Sequence, residues 1–307
     1  MKRNKILITG ASGFVGKALV SSLKPSNVIC LGRNHVQDTE FVYSDYSISE
    51  SIIRKMEDVK TIVHCAGRAH VMNESEVESK KLYQQANVET TSNIASMAKK
   101  AGVSRFIYIS SIKVNGNANN KPFLPEDEVR PADHYGQTKF EAEKKLIEIS
   151  ELCAMDYAII RPPLIYGPGV KGNLEILSKF LERGMPNPFI CINKNRRSMV
   201  SIYNLVSLID SCIEFKGVLN KVFLVSDGHD ISTADAVKMI SNTIGSKNLP
   251  LPIPSYFWRL FGSLFNKQDY VERIVGNLQV DISKTTKFLK WNPKVTVLEG
   301  FQRSFSK

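Results

Sequence analysis

Short apolar runs recur along the chain, separated by longer stretches of mixed polarity. Ile6–Thr9, Asn27–Leu31, Thr61–Cys65, Arg105–Ile109 and Tyr157–Ile160 each hold four or five residues, most of them aliphatic or aromatic. Runs of this length without polar alternation predict strands covered on both faces, as in a parallel sheet. Segments around Phe41–Tyr43 and Val222–Ser226 predict two more strands. Between the strands the spacing turns helical, over Lys17–Leu23, Leu82–Ala101 and Asn204–Ile213. In Phe140–Ser150 the apolar Phe140, Leu146, Ile147 and Ile149 stand among Glu and Lys. Strand and helix in alternation predict an α/β fold. The stretch Leu251–Phe265 is the most apolar part of the C-terminal region. It reads as a helix packing on the core, or as an interfacial helix touching a membrane, since Lys and Arg lie nearby.

At 307 residues the chain can build one large α/β domain or a core with a smaller lobe. Its 43% hydrophobic and 23% charged content is that of an ordinary globular protein. A formal charge of +11 points to acidic partners. The basic residues are scattered, with only short groups such as Lys194–Arg197, and no basic aromatic groove pattern appears. A phosphate-bearing small molecule therefore fits better than nucleic acid. Five cysteines, odd in number and mostly inside apolar runs, read as buried thiols of a reducing compartment, neither a disulfide frame nor a metal site. The apolar run after Lys2–Lys5 is too short for a signal peptide, and none reaches the ~20 residues of a membrane span. The expectation is a cytoplasmic protein.

Two stretches carry candidate chemistry. Gly10-Ala11-Ser12-Gly13-Phe14-Val15-Gly16 follows the first strand and opens the first helix, the order a dinucleotide fold requires. Glycines there let the backbone turn sharply and approach a pyrophosphate, whose charge sits at the helix N-terminus. The second stretch is Tyr135-Gly136-Gln137-Thr138-Lys139, in which Tyr135 and Lys139 share one helix face. A free phenol has a pKa of about 10, and a neighbouring ammonium lowers it. A shift of ~3 units takes about 4 kcal/mol of differential stabilisation, which requires a partly dry site. Tyr135 and Lys139 so placed could move a proton to or from an alcohol or carbonyl oxygen.

Thr-Gly-x-x-Gly-x-x-Gly at residues 9–16 with Tyr-x-x-x-Lys at 135–139 resembles the extended short-chain dehydrogenase/reductase family. Within it the chain is similar to the NAD-dependent epimerase/dehydratase branch of UDP-glucose 4-epimerases and 4-keto-sugar reductases. The resemblance implies a doubly wound Rossmann core, residues 1–165 and 199–226, with a smaller, discontinuous substrate lobe, residues 166–198 and 227–307. It implies NADP or NAD as cofactor, held by Gly10, Ser12, Gly13, Phe14, Val15 and Gly16, by Asp45 and Tyr46 at the adenine, and by Ala66 and Gly67 beside the nicotinamide. Arg33 stands where NAD users place an acid; it suits a 2′-phosphate, favouring NADP, or stacks on adenine and accepts either cofactor. Pro162, in an Arg-Pro…Tyr-Gly-Pro stretch, lies along the nicotinamide in the family pattern.

By family register Ser111 is the catalytic hydroxyl beside Tyr135 and Lys139, while His64 reads as a packed core residue and Asn87 as a structural one. The sugar dehydratases of the family carry an Asp-Glu pair after this serine; Ile112-Lys113 replaces it here, which disfavours water elimination. Lys113 is either a contact for phosphate or a sugar acyl group, or a solvated lysine. Asn173 and Arg197 match diphosphate-binding positions, and Arg273 is a second candidate phosphate ligand. The match around Arg197 is incomplete, since Ser198 and Asn204 stand where relatives carry Asp. Helices 82–101 and 136–150 are expected to pair in a homodimer. The implied activity is hydride transfer at C4 of a UDP-hexosamine, by a 4-keto reductase in surface polysaccharide precursor synthesis or by a 4-epimerase with tightly held NAD. A cofactor-sensing scaffold on the same fold is the non-enzyme alternative.

Overall fold

The computed structural model describes residues 5–68 and 76–306, which divide into two compact units. The first comprises residues 1–115, 128–161 and 208–223, the second residues 116–127, 162–207 and 224–307.

The first unit is built on a seven-stranded sheet. β1 (Lys5–Thr9), β2 (Val28–Gly32), β3 (Glu40–Tyr43), β4 (Val59–His64), β5 (Arg105–Ile109), β6 (Asp156–Arg161) and β9 (Lys221–Leu224) run in the order β3-β2-β1-β4-β5-β6-β9. The pairs from β3 to β6 are parallel, with Ile8 opposite both Cys30 and Val63. This is the doubly wound Rossmann order, whose reversal beside β1 opens a crevice at the carboxyl ends of the strands. β2 and β5 are buried along their whole length, as continuous apolar runs require. Leu7, Ile62, Phe106 and Tyr108 pack one sheet face against α2 (Glu50–Met56), α4 (Thr90–Ala101) and α5 (His134–Glu151) through Met56, Ile94, Ala98, Ala142 and Leu146. α1 (Phe14–Ser22) follows the glycine turn.

The predicted helix 82–101 is not one helix. It comprises the end of α3 (Glu76–Tyr83), a π-helical turn over Gln84–Glu89, and α4. A π turn adds a residue to the helical repeat, which no periodicity of apolar residues announces. α5 starts at His134 because Asp133 caps it, its carboxylate accepting from Gly136 N at 2.8 Å. Arg105 forks onto Asp156, with both N–O distances 2.8 Å, and also donates to the Cys212, Phe215 and Gly217 carbonyls. That guanidinium closes the carbonyl end of the helix running to Glu214.

The second unit holds a two-stranded sheet, β7 (Leu164–Tyr166) and β8 (Met199–Ser201), with α6 (Asn173–Glu182), α8 (Thr233–Ile244), α9 (Ser255–Leu264), α10 (Gln268–Val275), α11 (Ser283–Leu289) and α12 (Val297–Phe305). α7 (Ile202–Glu214) is divided between the units after Ser207. Tyr166, Leu174, Leu181, Val237, Ile240 and Phe301 form the second core. Its polar knot is Asp227, which accepts from the Tyr166 hydroxyl at 2.6 Å, Asn204 Nδ2 at 2.6 Å and Ser201 N at 2.8 Å. Asn204 also accepts from Lys294 and Val295 N, so an amide with both donor and acceptor atoms suits this buried position.

The stretch 251–265 meets its first expectation only in part, packing on a small buried cluster through Trp258 and Gly262. It forms α9, but Tyr256, Phe257, Leu260, Phe261, Leu264 and Phe265 are exposed and do not pack on the core. Only Gly262 is buried, with Trp258 partly so. Among the described residues no helix is long and apolar enough to cross a membrane.

Candidate active site

A groove of ≈ 660 Å³ lies at the carboxyl ends of β1, β2 and β4, within the size range of small-molecule sites. Its walls include Gly10, Ser12, Gly13, Arg33, Asp45, Tyr46, Ala66 and Gly67, eight of the predicted cofactor residues. Gly10 takes φ +67°, and a Cβ there would fall 2.6 Å from Ala66 N. A Cβ on Gly16 would fall 2.2 Å from Gly10 O, so α1 can start against the turn only because both are glycine. Gly13 is at once the N-cap of α1 and part of the groove wall, and no side chain caps the helix there. The positive end of α1 therefore meets the groove, which fits a dinucleotide pyrophosphate. Phe14 and Val15 form the first turn of α1, and Gly16 is buried behind the glycine turn. These three are absent from the groove wall.

At the far wall Arg33 and Asn34 leave β2 exposed, with no acid among the residues from Leu31 to Gln37. Asp45 closes a turn by accepting from Ser47 N at 2.9 Å and Ser47 Oγ at 2.6 Å, bonds that hold its carboxyl below the usual range. The Tyr46 phenol is pushed up in pKa by burial and donates to the Leu31 carbonyl at 3.5 Å. Asn34, Gln85 and Asn93 also line the groove and were not foreseen, since polar residues on a loop and a helix carry no local mark of a ligand.

Beneath the groove runs a buried polar chain. Thr9 Oγ1 accepts from Ala66 N at 3.2 Å and lies 2.6 Å from His64 Nδ1, to which it donates because the proton of the neutral ring is on Nε2, facing a Thr91 hydroxyl whose own proton is taken. His64 Nε2 then donates to Thr91 Oγ1 at 3.0 Å, and Thr91 donates to the Asn87 carbonyl at 2.6 Å. Burial holds His64 neutral, its pKa down at about 3, so it is a packed core group as expected. Asn87, on the π turn, accepts from Arg68 N at 2.8 Å and donates to Thr138 Oγ1 at 3.0 Å. It ties the loop after β4 to the helix that carries Tyr135 and Lys139.

The structure brings Ser111, Tyr135 and Lys139 to the carboxyl end of β5. Burial pushes the Tyr135 phenol up to about 12; a hydrogen bond with the Ser111 hydroxyl pulls the other way, and Asp133 and Tyr83 raise it further. Lys139 Nζ donates to the Ile109 carbonyl at 2.9 Å and lies 4.7 Å from the centre of the Tyr108 ring. A Cβ on Gly67 would sit 3.2 Å from Lys139 Nζ, so the ammonium reaches the groove wall. Burial lowers the Lys139 pKa to about 8. The expected direction at Tyr135 is thus reversed. Burial disfavours the charged form of both groups, and Ser111, not Lys139, is what favours the phenolate. Lys113 is not a solvated lysine: its ammonium pairs with Asp133 and stands 5.5 Å from the Tyr135 ring centre.

A buried ion pair that the sequence did not reveal anchors this site. Arg161 donates through Nε and Nη2 to the two Glu143 oxygens at 2.9 and 2.6 Å, and through Nη1 to Asn115 Oδ1 at 3.0 Å. Ser110 Oγ donates to Glu143 as well. Glu143 lies one turn past Lys139 on α5, so the pair locks that helix onto β6 and the end of β5. Arg161, expected in the stretch along the nicotinamide, serves this pair. Pro162, the next residue, is buried at the start of the second unit and is not part of the groove wall.

Within the second unit Arg197 and Arg273 come together. Burial, and then the charge of Arg273, lower the Arg197 pKa to about 10. Arg197 Nη1 donates to the Gly276 carbonyl at 3.1 Å, and the Arg273 guanidinium lies 5.5 Å from the Tyr270 ring centre. Two neighbouring guanidiniums suit a diphosphate. Asn173 is the first residue of α6 and is exposed.

Comparison with known proteins identifies the fold and the family. The chain is 44% identical over 307 residues to a UDP-glucose 4-epimerase of Vibrio cholerae, covering 97% of this chain and 94% of that protein. Among solved structures, the UDP-glucose 4-epimerase of Thermotoga maritima superposes with a TM-score of 0.78 at 22% identity, over 98% of this chain and 97% of that one. The UDP-N-acetylglucosamine 4-epimerase of Bacillus cereus does so with 0.78 at 19%, over 97% and 96%. These two likenesses show the fold. Residues 6–216 match the NAD dependent epimerase/dehydratase family, so the chain belongs to that family and is an enzyme with a nicotinamide dinucleotide as cofactor.

Proposed function

We propose that the chain is a UDP-sugar 4-epimerase working through tightly held NAD, with Ser111, Tyr135 and Lys139 as its catalytic residues. The observation that carries this reading is the meeting of these three side chains at the end of β5, with Lys139 Nζ against Gly67, a residue of the groove wall. The name of the 44% identical relative favours epimerisation over a 4-keto reductase, although both chemistries use the same residues.

A nicotinamide dinucleotide held in this groove would supply the hydride chemistry at C4 of the sugar. Tyr135 accepts the proton of the C4 hydroxyl as the ketone forms and gives it back when the ketone is reduced. Burial favours the neutral phenol, so once Tyr135 has taken the proton it holds it until the second half. For the first half it needs help, which Ser111 gives by hydrogen bonding to the phenolate. Lys139, with a pKa of about 8, is mostly an ammonium at pH 7 and stands against Gly67 of the groove wall. Gly10, Ser12, Gly13 and the start of α1 would hold the pyrophosphate, while Arg33, Asp45 and Tyr46 would border the adenosine end.

In this reading the first unit binds the cofactor and the second binds the UDP diphosphate through Arg197 and Arg273, with Asn173 as a further contact. Pro162 borders the nicotinamide, and the homodimer and cytoplasmic location belong to the same reading. The absence of an acid near Arg33 leaves the 2′-position open to phosphate, which is the one feature favouring an NADPH-dependent reductase of a UDP-4-keto-hexosamine.

The test is to incubate freshly purified protein with UDP-glucose or UDP-N-acetylglucosamine and no added cofactor. The expected result is equilibration with the 4-epimer, and release of NAD on denaturation. Turnover seen only when NADPH and a 4-keto sugar are supplied would establish the reductase instead. Inactivity in both assays would sink both.

A further inference from the structure

α9 turns an apolar face to solvent. Tyr256, Phe257, Leu260, Phe261, Leu264 and Phe265 fall on one side of the helix at steps of one and four. They are 67, 46, 42, 54, 68 and 67% exposed, in that order. No other element among the described residues exposes as many large apolar side chains. Six side chains of ~200 Å² apiece, each about half exposed, amount to roughly 600 Å². That is the top of the range for a monomer surface without a partner.

The helix is nonetheless held in place from behind. Trp258 stacks on Phe189 with ring centres 5.2 Å apart, and a Cβ on Gly262 would fall 2.8 Å from Val271 Cγ2. Ile192, Val271 and Val275 complete the small cluster beneath. The aromatic face is thus presented by a seated helix, and nothing of its own unit covers it.

Charge selects the occupant. Arg259 on α9 is exposed, Lys267 follows the helix, and a recess of ≈ 210 Å³ at the N-terminal end of α9 is lined by Lys194, Asn195, Ser255 and Arg259. Leaving out Arg197 and Arg273, which the proposed function assigns to the diphosphate, and Arg259, which pairs with Glu272 at 3.1 Å, residues 185–199 and 246–276 still hold Lys194, Arg196, Lys247 and Lys267 against one further acid, Asp269. A second copy docked face to face would bring these cations towards their own kind. An anionic bilayer meets both features, since its headgroup layer takes the cations while the acyl boundary takes the rings. We propose that α9 seats this protein on an anionic phospholipid surface, with its aromatic face at the boundary between headgroups and chains.

Flotation of the full-length protein with vesicles tests this. One set contains phosphatidylcholine alone, the other phosphatidylcholine with one third phosphatidylglycerol. The protein is expected to float with the second set, to float poorly with the first, and to be released by high salt. The double variant Phe261→Glu/Leu264→Glu should lower the bound fraction by about tenfold or more, with turnover of the soluble UDP-sugar unchanged. Lys267→Glu should weaken binding less and lose its effect at high salt, which keeps a readout if the double variant folds poorly. The proposal is overturned if the wild type never floats, or if both variants float as well as it does. It is equally overturned if the wild type fails to float and the double variant converts a dimer to a monomer, which would assign the face to self-association.

Discussion

Tyr135 and Lys139 illustrate how burial outranks spacing at the level of single residues. Their separation of four places both on one helix face, yet the groups that set the Tyr135 pKa are the surrounding apolar volume, Ser111, Asp133 and Tyr83. Tyr135→Phe removes the proton carrier and leaves the ring in place. It should lower kcat by about 10²–10⁴-fold, with the melting temperature nearly unchanged. Steady-state kinetics and a thermal melt check the two halves of that statement. Lys139 gives a stability signature of its own. Its folded pKa of about 8 lies below the unfolded value of 10.5, so between those pH values the unfolded chain binds the extra proton. Stability from this group is present above pH 10.5, falls as pH drops towards 8, and is level below it. Relative to Lys139→Met, the wild type should gain about 3 kcal/mol across that window in urea melts. A constant difference from pH 7 to 10.5 would mean that the amine is not buried.

At the level of elements, α5 is positioned from behind by Glu143 and Arg161. Glu143→Gln breaks the two-pronged contact and strands the Arg161 charge in a dry setting. A loss of about 3–5 kcal/mol is expected in urea denaturation, together with a lower kcat because Ser110 and the end of β5 lose their anchor. The double variant Glu143→Gln/Arg161→Met, which removes the stranded charge as well, should recover stability ahead of activity. The helical periodicity of 140–150 was legible in the chain, and so was the shared face of Tyr135 and Lys139. Glu143 was not, because a glutamate among Lys and Glu reads as solvated until Arg161 arrives from β6, 18 residues further on. The π turn at Gln84–Glu89 was hidden for a related reason. One extra residue in a helical turn leaves local composition unchanged, and only the folded backbone shows it, with Asn87 on the turn bonded to Arg68 and Thr138.

For the whole molecule, the two compact units carry separate tasks in the proposed function, and kinetics can separate them. Arg197→Ala, in the second unit, should raise KM for the UDP-sugar by about tenfold, equivalent to ~1.4 kcal/mol of uniform binding, and leave kcat within about twofold. Tyr135→Phe, in the first, should do the reverse. A kcat loss in Arg197→Ala as large as that of Tyr135→Phe would contradict the division. By itself the sequence determined the parallel sheet, the glycine turn at 10–16 with its helix, and the shared helix face of Tyr135 and Lys139. Those features follow from strand and helix periods and from backbone sterics within a few residues. Tertiary structure alone decided which charges are dry. It put Arg161 on Glu143, Lys113 on Asp133 and Arg197 beside Arg273, and it left the aromatic face of α9 in water. Desolvation and charge pairing depend on what distant segments pack against a group, and no local spacing encodes that.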